Sequence, residues 1–371
     1  MRILQVSPSL YNGGGEVFAF QLADALARRG HEVALVSVTK PAADGLLTAR
    51  LQNVGFEFFS LDKQSGAGVD LKLPFRLERL ARQWKPDVVH THLRALSYAS
   101  LLTFRSYKKF HTIHSLAEKE CSAKVRFFQR ILFALGWVPV AISEVVRESI
   151  CRAYGLKAPI VVNGVEKLEI DSPSSFDYRC LLDIPSDAAV LAHVGRLNEV
   201  KDQLRLLRVF SEIAEEDPRV FCLFVGDDPV SGAPYLAKMN QFVEGLSEDV
   251  RRRVRFLGAR SDVGSILDAA DVFVLCSRYE GLPLALLEAM SIGKRCVCSA
   301  VGGIPDAIDE CSGWLFEAQS DDDFKRCLIE AIFQRNGERE GVARAVFDQR
   351  FSIDICAAQY EALYFGNGGR G

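Results

Sequence analysis

The chain has 371 residues, 49% hydrophobic and 25% charged, which is room for two globular domains with a core in each. Forty-five Lys and Arg against 48 Asp and Glu leave a formal net charge of -3, so no global positive field serves nucleic acid and any phosphate must be held by local groups. Ten cysteines show no C-x-x-C or paired zinc-type spacing, and Cys296 and Cys298 alternate on a strand; a reduced, cytoplasmic protein without a zinc site is expected.

The N-terminal run MRILQVSPS has no charged segment ahead of a long apolar stretch and reads as a first strand, Ile3 to Val6, not as a signal peptide. A glycine loop (Asn12, Gly13, Gly14, Gly15), a helix over Glu16 to Arg29, a stop at Gly30 and a strand over Val33 to Val38 make a βαβ unit, which implies parallel pairing. Further strands are predicted over Asp87 to His90, Phe110 to Ile113 and Val138 to Ile142, with RLERLARQW as a helix before the first of them. The apolar stretch Ile131 to Ile142 holds Gly136 and Pro139 and, at 12 residues, is too short to span a bilayer. The first half, residues 1 to 166, closes near VVNGVE, and residues 167 to 188 read as a turn-rich linker. The alternation restarts at Ala189 and runs to residue 350 through AVLAHVG, FCLFVG, VRFLG, DVFVLCS and RCVCS, with helices between. Residues 351 to 365 read as a last helix with Ser352 as N-cap, and the tail GNGGRG, 366 to 371, as disordered. Strand and helix alternation in both halves predicts two Rossmann-like, doubly wound α/β domains facing across a cleft, the final helix packing back on the first.

Three constellations carry chemistry. In RYEGLPLALLEA, Glu280 and Glu288 lie eight residues apart across a strand end, a Gly-Pro turn with Pro283 suited to a helix N1 position, and a helix start. Free amides at that helix start favour phosphate, and carboxylates beside phosphate suit vicinal hydroxyls such as those of a ribose. In VGRLNEVKDQ, Arg196 follows a strand and Lys201 begins the next helix, so both project at the carboxyl edge of the same sheet. Two cations there can neutralise a diphosphate as it leaves. The predicted ligand is therefore a nucleotide diphosphate carrying a further group. The third constellation, Gly13 to Gly15, is not G-x-G-x-x-G, and the strand after it ends Val38-Thr39-Lys40 with no acid for an NAD ribose, which counts against a dehydrogenase.

These motifs resemble the retaining, nucleotide-sugar-dependent glycosyltransferases of family 4, with the GT-B architecture, over nearly the whole chain. The resemblance implies that Arg196 and Lys201 hold the diphosphate, Glu288 the ribose hydroxyls and Glu280 the transferred sugar, with Gly14 and Gly15 facing the donor. The family usually has E-G-F-G where this chain has Glu280-Gly281-Leu282-Pro283; Pro283 lacks an amide donor, so backbone contacts fall on Gly281, Leu282 or Leu284. His114, after a strand end, resembles the family histidine that bonds the transferring sugar. His92 is a second, loop candidate, while His90 and His111 read as packed strand residues. His111 and His114 fall on opposite strand faces, so they make no simple metal pair. The resemblance further implies retention of anomeric configuration. Asp321-Asp322-Asp323 reads as a helix start rather than a metal-binding D-x-D, so metal independence, with no cofactor, is expected. Arg260 is a further base or phosphate neighbour.

Between Arg94 and Arg130 eight Lys or Arg stand against Glu118 and Glu120, interleaved with Phe110, Phe127 and Phe128, and Ile131, Leu132 and Phe133 follow. Residues 94 to 133 are expected to meet an anionic membrane surface, placing the protein on the inner face of the membrane near a glycan or lipid-linked acceptor. The expected activity is sugar transfer in cell-surface polysaccharide or glycoconjugate synthesis. Its rivals are a nucleotide-sugar epimerase of the same architecture and a non-catalytic nucleotide-sugar-binding subunit.

Overall fold

The computed structural model describes residues 1–11, 13–43, 45–64, 70–170, 178–228, 232–334 and 337–366; Asn12, residues 171–177 of the linker and the tail beyond Gly366 are among those that lie outside them. The chain divides into two compact units, Met1–Val165 with Arg350–Gly371, and Glu166–Gln349.

Among the described residues each unit is built on a six-stranded sheet, every pair parallel. In the first unit the strands are β1 (Arg2–Ser7), β2 (Glu32–Thr39), β3 (Glu57–Lys63), β4 (Val88–His92), β5 (Lys108–Ile113) and β6 (Val138–Ala141), in spatial order β3-β2-β1-β4-β5-β6. In the second they are β7 (Ala189–Val194), β8 (Val220–Val225), β9 (Val254–Gly258), β10 (Val272–Leu275), β11 (Arg295–Ser299) and β12 (Trp314–Phe316), in order β12-β11-β10-β7-β8-β9. The two orders are the same when each unit is counted from its own first strand. Both are doubly wound, with the direction of winding reversing beside the first strand, between β1 and β4 and between β7 and β10. Helices cover both faces, so central strands such as β7, β8, β10 and β11 are buried at every position and show no alternation.

The strands β3 and β12 were not expected. β3 has no clean period of two, and β12 has three residues, so neither stands out from its neighbours in the sequence. The helix Ile353–Phe365 is capped by Ser352, whose hydroxyl accepts from the Ile355 amide at 3.3 Å. It belongs to the first unit. Ile353 N donates to Val165 O and Val165 N to Phe351 O, each at 2.9 Å, and a side chain at Gly164 would stand 2.5 Å from the Ser352 carbonyl. Tyr360 and Tyr364 of this helix are fully buried against β4 and β5.

Candidate functional site

The reversal between β7 and β10 opens a crevice at the carboxyl ends of those two strands, and both charged motifs emerge there. After β7 the chain leaves through Gly195 to the exposed Arg196. The Asn198 side-chain oxygen accepts from the amides of Val200 and Lys201, each at 3.0 Å, closing a turn that aims Lys201 back over the sheet. Gln203 Nε2 donates to the Arg196 carbonyl at 2.9 Å, tying that turn to the helix Gln203–Glu216. Lys201 thus lies two residues ahead of the helix, not in its first turn. Its Nζ meets Glu280 Oε1 at 2.6 Å, and the Ser277 hydroxyl donates to the same oxygen at 2.7 Å. The Lys201 and Glu280 side chains are only 17% and 13% exposed, so their charges act with little intervening water. Among the described residues nothing engages Glu280 Oε2 or the Arg196 guanidinium.

Glu288 stands on the helix Leu284–Ser291. Pro283 is its N-cap (φ -75°, ψ 123°), a correction to the N1 position expected: its ψ is extended, as at an N-cap, so the helix begins one residue later at Leu284. The Glu288 carboxyl has no side-chain partner among the described residues, and burial pushes it up to about 7. The Gly281 carbonyl accepts from Gly303 N at 2.9 Å, and Gly302 (φ +57°) is pressed so closely onto Glu280 that any Cβ there would collide with its carbonyl oxygen. Leu282 and Leu284 bury their side chains, leaving only their backbone for a ligand. Arg260 is already engaged by Asp262, at 2.8 Å and 2.5 Å, and that contact pulls Asp262 down to about 2. Ser277, Gly302 and His193 were not singled out in the sequence. His193, the fifth residue of β7, is fully buried, and neither ring nitrogen is bonded among the described residues; burial and then Lys201 drive it down to about 3.

In the first unit Gly14 and Gly15 do not form an open loop; they begin the helix Gly14–Arg28, whose N-cap is Gly13, and a side chain at Gly15 would strike Leu93. His92 is likewise not on a loop. It is the last residue of β4, fully buried, with Nε2 at 2.6 Å from Gln5 Oε1 and Nδ1 at 3.2 Å from His114 Nε2. His114 follows β5, is half-buried, packs edge-on to Phe18 with ring centroids 5.2 Å apart, and donates its backbone amide to Glu120 Oε2 at 3.1 Å. Burial keeps His114 neutral, down at about 3, and pushes Glu120 up to about 8. His90 and His111 are fully buried strand residues.

The basic stretch is thinner on the outside than its composition suggests. Arg126 turns inward to the carbonyls of Glu118 and Cys121, both at 2.8 Å, and Lys108 reaches the Tyr364 carbonyl at 2.7 Å. Phe110, Leu132 and Phe133 are core. Phe127, Phe128 and Ile131 are exposed on the helix Ala123–Ala134 beside exposed Lys124 and Arg130. No helix among the described residues is long and apolar enough to cross a membrane.

Two family profiles match, "Glycosyltransferase Family 4" over residues 12–166 and "Glycosyl transferases group 1" over residues 178–345. The chain is 25% identical to the N-acetyl-alpha-D-glucosaminyl L-malate synthase of Bacillus anthracis, over 95% of this chain and 94% of that protein. It is 28% identical to the UDP-Gal:alpha-D-GlcNAc-diphosphoundecaprenol alpha-1,3-galactosyltransferase of Escherichia coli, over 70% of each. Among solved structures, Anabaena HepE in complex with UDP-glucose matches with a TM-score of 0.82 at 22% identity, over 99% of this chain and 100% of that one. With two doubly wound parallel sheets and both profiles in chain order, this chain belongs to the GT-B glycosyltransferases of family 4 type.

Proposed function

We propose that the chain is a retaining, metal-independent glycosyltransferase. It moves a sugar from a nucleoside diphosphate to a glycan or lipid-linked acceptor in glycoconjugate synthesis. The observation that carries this reading is the Lys201–Glu280 contact at 2.6 Å, with Arg196 on the same strand-to-helix loop as Lys201 and its guanidinium without a partner among the described residues. Lys201 and Arg196 neutralise the charge that grows on the diphosphate as its bond to the anomeric carbon lengthens. Among the described residues both side-chain contacts of Glu280 fall on Oε1, which leaves Oε2 for a sugar hydroxyl. Glu288, desolvated and unpartnered, suits the two ribose hydroxyls. The acceptor hydroxyl enters on the face the diphosphate leaves, and its proton passes to a departing phosphate oxygen, so the protein's work is positioning and charge stabilisation.

Relatives support the substrate class: the Escherichia coli protein is named for a UDP-sugar donor and a diphosphoundecaprenol acceptor, and HepE was solved with UDP-glucose. The exposed Phe127, Phe128 and Ile131 with Lys124 and Arg130 suit a peripheral site on an anionic inner leaflet. Flotation of the protein with anionic but not neutral vesicles tests that placement; equal recovery with both refutes it.

The decisive assay incubates the purified protein, with EDTA present, with UDP-, GDP- and ADP-sugars and a polyprenyl-diphosphate sugar acceptor, and reads the product anomer by NMR. An α-linked product from an α-linked donor is expected. Inversion, strict dependence on added metal, isomerised donor or binding without turnover would each overturn a stated part of the proposal.

A further inference from the structure

The first unit hides a continuous hydrogen-bonded chain behind His114. Tyr360 OH lies 2.7 Å from Thr112 Oγ1, and Thr112 Oγ1 2.7 Å from His90 Nε2. His90 Nδ1 is 2.6 Å from Tyr364 OH, which lies 3.4 Å from Gln5 Nε2. Gln5 Oε1 is 2.6 Å from His92 Nε2, and His92 Nδ1 is 3.2 Å from His114 Nε2. Every member except His114 is fully buried, so no water substitutes for a link.

Donor and acceptor roles propagate along such a chain. The Gln5 carbonyl only accepts, so His92 carries its proton on Nε2. Burial pushes His90, His92 and His114 far below the range in which an imidazole is charged, so each holds one proton. His92 Nδ1 is then a bare acceptor, and His114 must donate to it from Nε2. His114 Nδ1, on the less buried side, is left with a lone pair and no partner among the described residues. At the other end Gln5 Nε2 donates to the Tyr364 hydroxyl, which also lies 2.6 Å from His90 Nδ1, so removing that hydroxyl takes away the partner of the Gln5 amide nitrogen.

We propose that Gln5, His92 and Tyr364 are positioning residues that hold His114 in its Nε2–H tautomer, so that it meets the transferred sugar as a hydrogen-bond acceptor for one hydroxyl and not as a proton donor. This rests on the reading that His114 faces the transferring sugar. It selects sugars that present a hydroxyl there: a deoxy or O-methyl donor at that position loses the contact while its diphosphate is held as before. It also gives the helix Ile353–Phe365 a task beyond packing, since it supplies Tyr364.

The test is 15N NMR of the full chain with labelled histidine, in which protonated and bare ring nitrogens give well-separated signals. His114 is expected with Nε2 protonated and Nδ1 bare without any substrate. In Tyr364→Phe, His114 should become a tautomer mixture, with kcat down on the order of tenfold and donor KM within about threefold. An Nδ1–H signal for His114 in the native protein overturns the proposal, as does an unchanged tautomer in both Tyr364→Phe and Gln5→Met with each variant folded by circular dichroism. His114→Ala separates the two readings. Full activity in that variant removes His114 from the transfer site whatever its tautomer, whereas lost activity with the wrong tautomer refutes only the relay.

Discussion

The two units share one strand order yet furnish their crevices with opposite chemistry. At the end of β7 and β10 the second unit sets out charged side chains, Arg196, Lys201 and Glu280, partly open to water. At the end of β1 and β4 the first unit sets buried, uncharged groups, with Gln5 and His92 behind half-buried His114. The winding reversal therefore dictates where a ligand group can be met, and the residues just past the strand ends decide whether it is met by charge or by hydrogen bonding alone.

That contrast can be broken most severely at Lys201. Lys201→Ala should lower kcat roughly a thousandfold with a far smaller change in donor KM, because the cation acts on charge that appears only as the diphosphate leaves. A matching rise in KM with kcat preserved would make Lys201 a mere binding group. Next is Gly302→Ala. Its Cβ would drive the Glu280 backbone off its place, with an expected loss of on the order of a hundredfold in kcat/KM. Gly155→Ala is the control: its positive φ of +71° has open space around it, so only stability should fall, by about 1 kcal/mol.

Glu288 sharpens the comparison through pH. Its carboxyl is raised in the folded chain from 4.5 to about 7, so the folded state prefers the proton and the ligand-free protein loses stability as pH climbs between those values. Glu288→Gln should match the native protein in melting temperature below pH 4.5, gain on it as pH rises, and keep a constant lead above about 7. Donor hydroxyls favour the carboxylate, so donor binding near pH 6 should release protons, seen by calorimetry in buffers of different ionisation enthalpy. Absence of proton release places the ribose elsewhere. The smallest effect is expected from Ser277→Ala, which leaves the ion pair and removes one of its hydrogen bonds: about three- to tenfold in kcat/KM, corresponding to about 1 kcal/mol.

Much of this was readable along the chain. Alternating strands and helices, the G-R-x(4)-K and E-x(7)-E spacings and the capped helix at Ser352 are local patterns, set by residues within a few turns of one another. What escaped is what distant segments do to each other. Ser277 is an ordinary residue after a strand until Glu280 folds back to it, and Gly302 shows its need only when its loop lies on Glu280. Gln5 and Tyr364 are 359 residues apart and look like a strand polar residue and a helix aromatic. His92 reads as a loop residue because β4 continues two residues past the predicted end at His90. The charge count between residues 94 and 130 could not show that Arg126 and Lys108 spend their donors on backbone carbonyls.

Residues 350–366 return to the first unit, and this sets an order of events during synthesis. A ribosome finishes the contiguous stretch Glu166–Gln349, which carries its own core, before it makes Tyr360 and Tyr364. Until then His90 and Thr112 lack the hydroxyls they bond, and the interior around β4 and β5 stays open to water and to chaperones. The half translated first is thus the half completed last, and a nonsense codon ahead of Tyr360 should leave the second unit intact while the first fails to close.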